Sequence, residues 1–96
     1  FQLEIIMGTA LIKVKIMPDS PDTNLENIQD SAQYIISDEE GKIMRFEIEP
    51  IAFGINALII TFSRDESLDS DEMMEKLQKI DNISSAEIID FRRALG

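Results

Sequence analysis

The stretch Met44-Arg45-Phe46-Glu47-Ile48-Glu49-Pro50-Ile51-Ala52-Phe53-Gly54-Ile55-Asn56-Ala57-Leu58-Ile59-Ile60-Thr61-Phe62-Ser63 decides the fold. Met44, Phe46 and Ile48 alternate with Arg45, Glu47 and Glu49, the period of a strand buried on one face. Ala57 to Ser63 is almost wholly apolar, as a strand is when both its edges are paired and one face is covered. Pro50 has no amide donor and is predicted to stop the first ladder. The residues between the strands, Pro50-Ile51-Ala52-Phe53-Gly54, form an apolar loop where a polar one is expected, because loops run over the surface. Two readings are open for Phe53. It is either an anchor for a partner's pocket or an aromatic folded back to cap the core, and spacing alone favours the second.

Outward from this pair, Ile12, Val14 and Ile16 alternate with Lys13 and Lys15, so Thr9 to Met17 reads as a strand. Pro18 to Asp22 is a turn. Thr23-Asn24-Leu25-Glu26 fits a capping box, and Leu25, Ile28, Ala32 and Ile35 follow at helical spacing, predicting a helix from about Asn24 to about Ile36. Gly41 is available for a left-handed turn at its end. A second helix is expected to start near Asp69 or Ser70, with Met73, Leu77 and Ile80 on one face, acids in its first turn and Lys76 and Lys79 near its end. Asp81-Asn82 closes it. Ile83 to Phe91 is the last strand, with Ala86 and Ile88 inward. Ile89 and Phe91 fall in the opposite phase, which predicts a bulge or a change of environment there. Arg92 to Gly96 reads as a short tail.

The order strand, helix, strand, strand, helix, strand predicts an α+β, ferredoxin-like βαββαβ sandwich, a four-stranded antiparallel sheet with two helices on one face. The other face is expected to be open and to carry Lys13, Lys15, Arg45, Glu47 and Glu49. With 96 residues the chain has room for one domain, and its 44% hydrophobic content suffices for a core. Residues 1–6 are expected to be an upstream extension or artefact before a natural start at Met7, and residues 7–96 a single domain. Phe1 to Ile6 lacks the basic region and long apolar core of a signal peptide, and no stretch is long enough to span a membrane.

With Cys 0 and His 0, disulfides, zinc sites built on those residues, and Cys- or His-based nucleophilic catalysis are excluded. The acidic runs Asp38-Glu39-Glu40 and Asp69-Ser70-Asp71-Glu72 read as a solvated turn and a helix start; neither has a calcium-loop pattern. No catalytic residue, cofactor or metal is expected. A net charge of −10 repels nucleic acid, so no direct nucleic-acid partner is expected. The RNA-binding module of this topology places aromatics on the open face, where this chain has Lys13, Lys15, Glu47 and Glu49. The residues by themselves point to an interaction module.

The run Glu49-Pro50-Ile51-Ala52-Phe53-Gly54-Ile55-Asn56-Ala57-Leu58 resembles the signature of the archaeal translation elongation factor 1-beta family. Met7-Gly8, the strand end Lys13-Val14-Lys15-Ile16-Met17-Pro18, Pro21-Asp22 and Asp90-Phe91-Arg92-Arg93 are similar to that family as well, so the resemblance covers Met7 to Leu95. It implies a guanine-nucleotide exchange domain over residues 7–96, not an enzyme. Its implied partner is the GTPase elongation factor 1-alpha, its implied place the cytoplasm, and its implied fold ferredoxin-like. It also implies partner-binding residues Pro50, Ile51, Ala52, Phe53 and Gly54, because in eukaryotic relatives the matching phenylalanine enters a pocket of the GTPase. Arg92 and Arg93 stand near where those relatives carry a lysine that disturbs the magnesium site; here that lysine is absent. The alternative is a ferredoxin-like regulatory domain that binds a small metabolite.

Overall fold

A computed structural model describes residues 8–93. The expectations for residues 1–6, for Met7 as the start, and for Ala94 to Gly96 lie outside the described residues. The elements are β1 (Thr9–Pro18), α1 (Leu25–Asp38), β2 (Lys42–Ala52), β3 (Ile55–Asp65), α2 (Asp71–Gln78) and β4 (Ile83–Arg93). The strands form one antiparallel sheet in the order β2-β3-β1-β4, with both helices on one face, the predicted ferredoxin-like arrangement.

Alternation places the core. Ala10, Ile12, Val14 and Ile16 of β1 and Leu58, Ile60 and Phe62 of β3 are buried against Ile28, Ala32 and Ile36 of α1 and Met73 and Leu77 of α2. β3 pairs on both sides, which accounts for its unbroken apolar run. On the open face, Ala57 and Ile59 are also buried. Glu49 and Glu47 stand opposite them on β2, and Lys15 stands opposite Ile59 on β1, so long side chains flank these two small and medium apolar residues.

Several local expectations are corrected. The cap of α1 is Asn24, whose side-chain oxygen accepts from the Glu26 amide at 2.8 Å, while the Thr23 hydroxyl turns to Asp19. At the other end the left-handed residue is Glu40 (φ 68°), not Gly41. The Glu40 amide donates to Ser37 O and the Gly41 amide to Ile36 O, a Schellman closure. Gly41 is required for a different reason: a Cβ there would collide with the Ile36 side chain, with Ile36 O at 3.0 Å and Phe62 at 3.3 Å close behind.

In β2, register shifts between Ile43 and Arg45, leaving Ile43 and Phe46 opposite Phe62 and Ile60. Met44 is therefore displaced from the predicted inward phase and is exposed, and Ile48 is half-exposed beside them. Nor does Pro50 stop the ladder. It pairs with Asn56, and β2 runs on to Ala52, because β2 is an edge strand where a missing donor is tolerated and a register shift follows at once. The expected bulge in β4 is present at Ile89, between Ile88 (opposite Val14) and Asp90 (opposite Lys13). It returns Phe91 to the phase of Ile88. Ile88 shares the helix-facing side with Val14 but is 36% exposed, since β4 is the other edge of the sheet. Arg92 and Arg93 are not a tail: they pair with Leu11 and Ala10 as the last residues of β4.

Candidate functional site

Because Ala52 pairs with Ile55, the connection between β2 and β3 is only two residues, Phe53 and Gly54. Both have positive φ, 54° and 78°, the signature of a type I′ hairpin turn. That turn favours Asn-Gly, because an L-residue with a bulky side chain is strained in the left-handed region by about 1–2 kcal/mol. Phe53 occupies the position nonetheless. Its side chain is 95% exposed, so the reading in which it caps the core is overturned: the two-residue turn holds it beyond the end of the sheet. Among the described residues the fully buried phenylalanine is Phe62.

The residues around Phe53 continue this surface. Ile51 is 42% exposed, and Ala52 and Gly54 are exposed. A Cβ at Gly54 would lie 3.7 Å from Pro21, so the hairpin tip adjoins the loop between β1 and α1. Lys15 Nζ and Glu49 Oε1 form an ion pair at 3.0 Å that crosses β3 and ties the outer part of β2 to β1. Nothing in the sequence marks either residue as functional. The alternation of lysines in β1 with glutamates in β2 put both on the open face, but their pairing depends on the strand order.

Pro50, Ile51, Ala52, Phe53 and Gly54 thus form one end of the molecule. The structure does not bring Arg92 and Arg93 to it. From Ile55 to Ser63, which aligns through Leu11 with Arg92, the strand advances about 26 Å at roughly 3.3 Å per residue. Arg92 Nε pairs with Asp90 at 3.0 Å and Arg93 Nε with Glu66 at 2.8 Å. The residues with displaced pKa values are also remote from the tip. The Ser67 backbone amide and hydroxyl lower that of Asp65, and the hydrogen bond to Glu39 raises that of Lys76.

Residues 11–94 match the model of the family described as the EF-1 guanine nucleotide exchange domain. Elongation factor 1-beta of Saccharolobus solfataricus is 36% identical over 91% of this chain and 97% of its own length. Elongation factor 1-beta of Pyrococcus horikoshii is 38% identical over 78% of this chain and 84% of its own. Among solved structures, the C-terminal domain of the MgtC protein from Mycobacterium tuberculosis superposes with a TM-score of 0.68 at 7% identity, covering 84% of this chain and 86% of that one. The ACT domain from GTP pyrophosphokinase of Chlorobium tepidum does so at 0.59 and 18%, covering 82% and 96%. These two similarities concern the fold alone. The family match and the archaeal relatives, together with the exposed hairpin tip, lead to one conclusion: the chain belongs to the EF-1 guanine nucleotide exchange domain family and functions in guanine-nucleotide exchange during translation elongation.

Proposed function

We propose that the chain accelerates GDP release from the GTPase elongation factor 1-alpha by seating Phe53 in a pocket of that protein, and that it does so without covalent chemistry. The observation that carries this reading is a fully presented aromatic in a strained backbone conformation at the end of a braced hairpin. Strain of this kind is found at binding clamps, where geometry matters more than local stability. An exposed phenylalanine has no folding role to repay it.

Exchange is reciprocal coupling: a protein that weakens nucleotide binding is itself bound less tightly when nucleotide is present. Each tenfold acceleration of release requires about 1.4 kcal/mol of contact made in the release transition state. A buried aromatic anchor supplies about 2 kcal/mol or more. Pro50, Ile51, Ala52 and Gly54 complete the contact around Phe53. Arg92 and Arg93 enter the same reading as contacts to acidic surface of the GTPase at the opposite end of the sheet. The cytoplasm, where elongation takes place, is its site of action. Among the described residues no helix is long and apolar enough to cross a membrane.

The test is release of fluorescent GDP from purified archaeal elongation factor 1-alpha at fixed Mg²⁺. The wild-type chain is expected to accelerate release, and Phe53→Ala to lose that acceleration by at least about tenfold while keeping its thermal transition. Absence of acceleration by a folded wild-type chain overturns the partner; full activity in Phe53→Ala overturns the role of the loop.

A further inference from the structure

The open face of the sheet is divided by charge along its length. Strand register places Lys42 and Arg92 at the two ends of one transverse row and puts Arg45 and Lys13 in the next. The row after that, nearer the hairpin tip, carries Glu47 and Glu87 with Lys15 between them, a net negative row. Four of the chain's nine basic residues are therefore gathered in two adjacent rows of a protein whose net charge is −10.

Lys13, Arg45, Arg92, Thr61 and the carboxylate of Asp90 line a cavity of about 200 Å³. The Thr61 hydroxyl oxygen is buried and has no hydrogen-bond partner among the described residues. A buried hydroxyl without a partner calls for an explanation, and a ligand oxygen is one. Arg92 Nε is 3.0 Å from Asp90 and Arg45 Nε is 3.4 Å from Glu47, so each guanidinium keeps donors beyond the one its carboxylate occupies. Lys13 forms no ion pair among the described residues. Cations outnumber carboxylates around the cavity.

We propose that this pocket is an oxyanion site that takes a single phosphate group. Lys13 and the remaining guanidinium donors of Arg45 and Arg92 supply charge-assisted hydrogen bonds, and the Thr61 hydroxyl donates from the wall. The volume accepts one phosphate but falls short of the roughly 300 Å³ and more of pockets that enclose larger organic ligands. The site lies away from Phe53 and shares only Arg92 with the exchange reading.

The test is titration of the isotopically labelled full chain with inorganic phosphate at constant ionic strength, followed by amide chemical shifts. Saturable changes are expected at Lys13, Arg45, Thr61 and Arg92. Lys13→Gln is expected to weaken binding about tenfold and Thr61→Val about threefold, in proportion to a charged and a neutral hydrogen bond. Lys79→Gln, on another part of the surface, is expected to leave it unchanged. Sodium acetate forms the second arm. Equal shifts with acetate, no saturation with phosphate, or unchanged affinity in Lys13→Gln each overturn the proposal.

Discussion

At Phe53, backbone preference and side-chain chemistry oppose each other. A type I′ turn calls for Asn at this position, and an aromatic there sacrifices local stability while gaining nothing from the core. Phe53→Asn is therefore expected to raise stability by up to about 1 kcal/mol in urea denaturation. The same variant is expected to abolish the acceleration of GDP release. A gain of stability accompanied by loss of exchange separates a functional aromatic from a structural one more sharply than Phe53→Ala does. If Phe53→Asn instead destabilises the chain, Phe53 makes a contact in solution that its exposure here does not show.

At the scale of elements, the end of the sheet away from the hairpin is held by one buried cation. Arg64 is 5% exposed. Its Nε donates to Glu39 O at 2.7 Å, its Nη1 lies 3.4 Å and 3.3 Å from the carbonyls of Leu68 and Asp69, and its Nη2 is 3.5 Å from the Glu39 carboxylate. One side chain thus ties the end of β3 to the C-terminus of α1 and the approach to α2, and Lys76 reaches the same Glu39 carboxylate at 2.5 Å. Arg64→Met is expected to cost about 3 kcal/mol, because it leaves three carbonyls without their donors and the largely buried Glu39 carboxylate with Lys76 as its partner. Urea denaturation measures it; a cost under about 0.5 kcal/mol would mean that these groups find water instead. Placed far from Phe53, this substitution is expected to spare exchange in any molecules that remain folded.

At the scale of the whole molecule, the shape follows from two long central strands and a narrow helical layer, with extents of 48 × 21 × 18 Å. The tip and the arginines of β4 occupy opposite ends of it. Native-state hydrogen exchange is expected to show the strongest protection in the middle of β1 and β3, which are paired on both sides, and the weakest at residues 52–55. Protection at the tip equal to that of the central strands would contradict a hairpin that projects from the core. The long axis also divides the net charge of the open face: the rows with Lys42, Arg45, Lys13 and Arg92 lie toward one end, and Glu47, Glu49 and Glu87, with Lys15 among them, toward the hairpin.

Much of this was legible in the sequence, because period and punctuation are local properties. Element order, the two-sided pairing of β3, the helix-facing residues of β1 and the bulge at Ile89 all follow from alternation and its single break in phase. The apolar loop was visible too, and its similarity to a family of exchange factors was carried by contiguous residues. What the sequence left open depended on partners distant along the chain. Pro50 stays in the ladder because β2 is an edge, a fact set by strand order. Gly41 is demanded by the approach of Ile36, and Lys15 finds Glu49 only once β3 lies between them. The direction of Phe53 was undecidable from spacing, since the length of the turn depends on the register that pairs Ala52 with Ile55. Local periodicity thus determined the fold; the tertiary register decided that the aromatic points out, because a two-residue turn leaves its side chain no path back to the core.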